Sequence, residues 1–253
     1  MINNNLVLGK GELHFNLFAP GTKAGSGERY LGNTPGFTLT VNESAIDRKI
    51  LRRGMKVVAD RYVTERSYSG QIVCDQMSKE NVALWLGSTS VSTNVAASGG
   101  STISETIIVM QGLGYQLGTG LHPLGHHKLT NIVFKIGATV IDQSSNFVID
   151  STKGRFTVKE SAPNVPNGTS LIIEYKTSGY VRSVTDVSRE LKGSVRYIAD
   201  NVYGRNTDYF FPFVTIEPSG SFDLKTADWQ RMQLKMSVMQ MFGRELFYAG
   251  NLE

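Results

Sequence analysis

The sequence is short of cysteine, of charge and of long apolar runs, and each shortage excludes something. A single cysteine, Cys74, in 253 residues permits no internal disulfide and no cysteine-based zinc site. Charged side chains make up 19% of the chain, against about 25% in an ordinary soluble domain. That deficit suggests that part of the subunit's surface does not face water in its working state. The 26 Lys and Arg exceed the 22 Asp and Glu by only four charges, too few to argue for tight binding of nucleic acid. No apolar run approaches the roughly 18 residues of a membrane span; Val82–Leu86 and Ile107–Met110 are core-sized. Met1-Ile2-Asn3-Asn4-Asn5 has no basic start and no long apolar stretch, so no secretory signal is predicted.

Recognisable catalytic patterns are also missing. There is no Gly-x-Ser-x-Gly elbow, and Gly25-Ser26-Gly27 and Gly112-Leu113-Gly114 lack the remaining residues of a phosphate loop. Cys74 sits in a strand-like stretch, where a buried inert thiol is expected. His122-Pro123-Leu124-Gly125-His126-His127 contains a zinc-compatible spacing of four. Pro123 and Gly125 argue against a helix there, however, and no carboxylate stands within ten residues. These are read as solvated loop histidines, with no metal and no cofactor. The one basic run, Arg48-Lys49-Ile50-Leu51-Arg52-Arg53, has no interleaved aromatics for stacking on single-stranded nucleic acid.

What the chain does have is material for strands. Forty per cent hydrophobic residues, with 12 Phe and 10 Tyr, provide enough apolar area to offset the entropy of folding. Leu13, Phe15 and Leu17 alternate with polar residues, as do Phe37, Leu39 and Val41, and Met232, Leu234, Met236 and Val238. A period of two is the signature of half-buried strands. Further strands are predicted at 71–74, 107–110, 132–141, 147–149, 155–159, 171–176, 193–199 and 209–216. One helix is predicted at about 79–86, capped by Ser78 and ended by Gly87, with Val82, Leu84, Trp85 and Leu86 packed on a sheet. Ile46–Arg53 is read as loop, Ser88–Thr102 as a mobile loop, and Leu113–His127 as loop. Thr185–Lys192 is ambiguous. Between Leu129 and Tyr180 the rhythm shortens to compact hairpins. The predicted organisation is therefore an all-β core over 1–128 and 181–253 with a hairpin-rich β insert over 129–180.

Four stretches then carry a family resemblance. They are Gly9-Lys10-Gly11-Glu12-Leu13-His14-Phe15; Glu28–Leu39 with Leu31-Gly32-Asn33-Thr34-Pro35; an Asp60–Cys74 strand pair leading to Glu80-Asn81-Val82-Ala83-Leu84; and Gly193–Asn201 followed by Gly204-Arg205-Asn206 and a Phe210–Pro218 strand. Together they resemble the major tail, or tail tube, protein of long-tailed bacteriophages. The resemblance implies an all-β fold with one main α-helix, a β-sandwich or half-barrel that completes a β-barrel when the subunit joins a ring. It implies a structural virion protein of the tail, not an enzyme, made in the host bacterial cytoplasm. Hexameric rings of this subunit would stack into a tube that conducts DNA during ejection. Expected partners are the subunit itself, the tape measure, tail terminator and tail-tip proteins, and transiting double-stranded DNA without specific binding; no membrane is involved. A non-contractile, siphovirus-like tail is the closer likeness.

Physical argument agrees with that expectation. Ring closure gives each exposed strand edge a neighbour, and a head-to-tail contact that does not close propagates a filament. Obligate interfaces are more apolar than ordinary surface, which fits the low charge. The arm Glu43–Gly54 and the loop Ser88–Thr102 are expected to order on stacking, with Arg48, Lys49, Arg52 and Arg53 meeting acidic groups of an adjacent ring. The lumen is expected to be neutral or acidic, since phosphate contacts would hold DNA. Two rivals remain open at this point: a monomeric β-sandwich binding module, and a metal-dependent hydrolase using His122, His126 and His127.

Overall fold

The computed structural model describes residues 6–87, 93–182 and 190–252. In chain order, the first strands are β1 (Gly11–Leu17), β2 (Arg29–Tyr30), β3 (Gly36–Arg52) and β4 (Met55–Cys74), followed by helix α1 (Lys79–Trp85). Then come β5 (Thr93–Val95), β6 (Ile103–Val109), β7 (Gly114–Gln116), β8 (Leu129–Ile136), β9 (Thr139–Ile141), the single turn α2 (Gln143–Asn146), β10 (Phe147–Asp150), β11 (Arg155–Val158), β12 (Thr169–Thr177) and β13 (Tyr180–Arg182). The chain ends with β14 (Leu191–Ala199), β15 (Asn206–Ser219), β16 (Met232–Val238) and β17 (Tyr248–Leu252). The protein is all-β with one main helix, as the period-two pattern predicts. Among the described residues no sheet closes into a barrel.

Two compact units divide the chain. One comprises 1–91 with 183–253, and the other 92–182. The first is built on an antiparallel sheet in the order β2-β1-β14-β15-β16-β4-β3, with β17 also paired to β15. Its core gathers the inward residues of these strands: Leu13 and Phe15 from β1, Val195 from β14, Phe211, Val214 and Ile216 from β15, and Leu234 and Met236 from β16. Burying each such side chain contributes about 1.5–3 kcal/mol. The Met232–Val238 stripe is a strand with the predicted bounds, its even positions Met232, Leu234 and Met236 buried.

The second unit holds a four-stranded sheet, β6-β12-β8-β9, and a three-stranded one, β10-β11-β7. Leu171, Ile173 and Tyr175 of β12 are fully buried, with Ile172 and Glu174 between them half-buried. They join Phe134, Phe147 and Phe156 in a core of this unit's own. The sequence reading began the insert at 129, and the correction is to 92. The reason is pairing: the whole of β6 lies along β12, from Thr169 opposite Val109 to Tyr175 opposite Ile103. The period of β6 shows that it is a strand but not which sheet takes it.

Ser88–Thr102, read as one mobile loop, contains β5, which pairs with β13; positions 88–92 lie outside the described residues. So do 185–189 of the ambiguous Thr185–Lys192 stretch, and β14 begins at Leu191. The span 132–141 is two strands, 129–136 and 139–141, turning at Gly137.

The largest departure is Ile46–Arg53, which is strand and not loop. It belongs to a hairpin in which β3 and β4 pair continuously from Gly36 opposite Val73 to Arg52 opposite Met55. Arg53 and Gly54, with φ of 49° and 80°, form its two-residue turn, the backbone that matches the twist of paired strands. Register shifts between Ser44 and Ala45 and between Arg48 and Lys49 leave Thr64 and Ala59 as extra residues on β4. Each such bulge moves the later side chains of that strand to the opposite face. This is why a strict period of two was not visible between 55 and 68.

Candidate functional site

Two features of the first unit stand out, and they meet at β3. The first is the outer part of the β3–β4 hairpin. β16 accompanies β4 only from Ser69 to Cys74, so residues 41–52 and 55–68 pair with nothing but each other among the described residues. At about 3.3 Å per residue this ribbon extends about 40 Å beyond the sheet. Alternation along β3 places Ile46 and Ile50 on one side, opposite Tyr62 and Val57 of β4. Ile46 is 66% exposed and Tyr62 74%, and at the tip Leu51 and Met55 are 72% and 69% exposed. An isolated two-stranded hairpin is marginally stable in water, and one lined with exposed aliphatics is a surface that calls for cover.

All four basic residues singled out by sequence, Arg48, Lys49, Arg52 and Arg53, lie on this ribbon and are exposed. Ion pairs at its base and middle, Arg66 with Glu43 at 2.6 Å and Arg61 with Asp47 at 3.7 Å, involve other residues. Among the described residues none of the four basic side chains has a salt-bridge partner.

The second feature is a cleft of about 450 Å³ at the root of the ribbon, walled by Phe37, Leu39, Tyr197, Tyr209 and Phe211 and edged by Pro35. The Phe37 ring lies 6.0 Å from Tyr197 and 6.1 Å from Phe211, edge-on to the latter. Sequence reasoning identified Phe37 and Leu39 as strand residues but missed the cleft, because Tyr197 and Tyr209 come from distant strands paired in register.

The segments that carried the family resemblance converge beside this cleft. The Tyr197 hydroxyl donates to the Lys10 carbonyl at 2.7 Å, and the Lys10 N–H donates to the Asn201 side chain at 2.7 Å. Asn201 in turn donates its side-chain amide to the Arg205 carbonyl and its backbone N–H to the Asn206 side-chain oxygen. Asn33 donates to Asp75 at 2.6 Å, and Gly32, with φ of 83°, abuts the Gln76 side chain so closely that a Cβ would collide with it. Asn81 is 2% exposed. Its amide donates to the Leu31 and Gln76 carbonyls at 2.7 and 3.0 Å, and its oxygen accepts from Arg29 at 2.8 Å. Thus α1, capped by Ser78 as predicted, is bonded to the Leu31–Pro35 turn by a buried asparagine that the sequence reading did not single out. Asn81, Ala83 and Leu84 are the helix's buried residues; Val82, Trp85 and Leu86 are not fully covered.

Cys74 is buried at the end of β4, its thiol donating to the Leu31 carbonyl at 3.5 Å. Burial raises its pKa, as expected of an inert thiol. The histidines require a correction: His126 is 4% exposed and not solvated. Its Nδ1 lies 2.8 Å from the Tyr175 hydroxyl, and its ring is 5.1 Å from that of His122. His127 packs edge-on against Tyr180 instead. Among the described residues no three His, Cys, Asp or Glu side chains are placed to hold a metal ion, and no helix is long and apolar enough to cross a membrane.

Burial, followed by the charge of His122, lowers the His126 pKa below its ordinary 6.5, with Glu105 opposing and His127 adding to the shift. An unfolded chain therefore takes up a proton that the folded unit resists, so stability is lost as pH falls through about 6.5. Thermal unfolding of the 92–182 unit, followed from pH 7.5 to pH 5, should show a decline of up to about 1.4 kcal/mol per pH unit from this group. The decline should flatten in His126→Gln.

Residues 6–240 match the family model described as Protein of unknown function UCP028589. No curated protein matches the chain significantly.

Proposed function

The chain belongs to that family, and we propose that it is a structural virion protein: the major subunit of a bacteriophage tail tube, acting by self-assembly and without enzymatic chemistry. The observation that carries this reading is the β3–β4 ribbon, a long paired arm with exposed Ile46, Ile50, Leu51, Met55, Val57 and Tyr62 and no cover among the described residues. Such a surface is a liability for a lone molecule and an asset for a polymer, since each copy hides what its neighbour exposes. The outer edges of β3 and β2, unpaired at the two ends of the sheet path among the described residues, give ring neighbours strand edges to cover, and rings with head-to-tail stacking would yield a tube. The convergence of the four resemblance-bearing segments in one hydrogen-bonded neighbourhood also supports it, because it gives those residue types a common structural reason.

Under this reading the tube lies in the virion tail and its partners are further copies, the tape measure, terminator and tail-tip proteins, and passing DNA. The aromatic cleft favours a second reading, a monomeric binding module, which would leave the ribbon unexplained. Gel filtration with negative-stain microscopy of purified protein separates the two: rings or tubes are expected, and a lone particle at high concentration would overturn the assembly reading. Reversing two ribbon charges, Arg52→Glu with Arg53→Glu, should suppress tube growth while circular dichroism stays that of a folded protein.

A further inference from the structure

We propose that the tip of the β3–β4 ribbon of one copy docks in the aromatic cleft at the ribbon root of a second copy, an inference that rests on the assembly reading above. Geometry decides whose cleft it is. Leu39, in the cleft wall, and Arg52, at the end of β3, are thirteen residues apart on one paired strand, a separation of about 40 Å at 3.3 Å per residue. A hydrogen-bonded ribbon does not fold back on itself over that length, so the tip reaches only the cleft of another molecule.

Shape and chemistry match. The two-residue turn at Arg53 and Gly54 keeps the tip narrow, two strands about 4.8 Å apart. Met55 flanks that turn, Leu51 lies one residue before Arg52 on the other strand, and the two are the most exposed aliphatic side chains of the ribbon. The cleft offers them the faces of Phe37, Tyr197, Tyr209 and Phe211 in about 450 Å³, a size in the range of sites that bury small apolar ligands.

Charge is complementary as well. From Arg48 to Lys56 the ribbon carries five cations and no carboxylate; subtracting these from the net +4 leaves −1 for the remaining chain. No carboxylate is in the lining, but three adjoin lining residues through a hydrogen bond or along the chain. Asp75 accepts from Asn33, Asp200 adjoins Lys10 through a backbone bond of 2.8 Å, and Asp208 accepts from the Ala199 N–H. Lys10 is the sole charged residue of the lining among the described residues. Docking Leu51 and Met55 therefore brings Arg52 and Arg53 towards Asp75, Asp200 and Asp208 beside the lining, where opposite charge sets orientation and suppresses wrong registers.

The test uses two full-length single-substitution proteins, Met55→Cys and Leu39→Cys, mixed under assembly conditions and oxidised. Cys74 is 1% exposed, so it stays silent. A disulfide needs Cα atoms within about 7 Å, so a bond between positions 39 and 55 joins two chains. The expected result is a 39–55 cross-linked dimer at least tenfold more abundant in the mixture than cross-linked dimer from either variant alone. Should either variant fail to fold, Leu51→Cys with Thr34→Cys serves in the same way. Tubes without the cross-link overturn the tip-in-cleft contact and leave the assembly reading standing. Absence of any assembly by the unsubstituted protein overturns both.

Discussion

Replacing Glu43–Arg66 by a two-residue Asn-Gly turn will yield a folded monomer that no longer polymerises at any concentration at which the parent chain does. Asn42 faces Ser67 in the β3–β4 register, so a two-residue loop closes the hairpin there, and Asn-Gly supplies the two positive φ values that such a turn needs. No member of the first unit's core cluster lies between 43 and 66, and none of those positions is buried. The thermal midpoint should therefore change by no more than a few degrees, with the shorter loop slightly favourable. Assembly, by contrast, should be lost entirely. Covering Ile46, Ile50, Leu51, Met55, Val57 and Tyr62 in a neighbour contributes about 1.5–3 kcal/mol per side chain before the cost of association. Sedimentation velocity and microscopy on the shortened protein provide the measurement; polymer of normal abundance would show that the ribbon is not the adhesive element.

Asn81→Ala should lower the stability of the first unit by about 3 kcal/mol, since a buried group stripped of its partner costs about 1–3 kcal/mol and more than one is affected. The amide satisfies the Leu31 and Gln76 carbonyls, and its oxygen holds the Arg29 guanidinium, whose pKa burial already lowers. Removal takes one partner from each of three polar groups, and leaves the Leu31 and Gln76 carbonyls only the long, weak contact of the Cys74 thiol. For a chain of this size about 2–4 °C accompanies each kcal/mol, so a drop of about 6–12 °C in the midpoint is expected by calorimetry. Asn42→Ala on the exposed ribbon, where one bond to Ser69 is lost, should move it by less than about 2 °C. Equal effects from the two would mean that Asn81 is not the tie between α1 and the Leu31–Pro35 turn.

Much of the fold was legible because a strand's side-chain alternation is a property of the strand alone. Leu13 and Phe15, Met232 to Met236, and Leu171 to Tyr175 alternate because one face of each is buried and the other is not. The same holds for α1, where Ser78 and Gly87 mark the ends locally. The 43–66 region was illegible for the complementary reason. No face of the ribbon is buried among the described residues, so burial imposes no pattern on it, and the bulges at Ala59 and Thr64 break what alternation there is. The histidines failed for another reason: whether His126 is wet depends on Tyr175, forty-nine residues away.

From the sequence alone came the all-β class, the capped helix and the basic run at 48–53, all set by neighbours along the chain whose chemistry is printed in order. Tertiary structure alone decided that this run tips an uncovered arm, that the inserted unit begins at 92, and that Phe37, Tyr197, Tyr209 and Phe211 share a cleft. Each of these depends on which strand edge finds which partner. Pairing between backbones is nearly blind to residue identity, so the sequence constrains it only through the summed fit of distant faces.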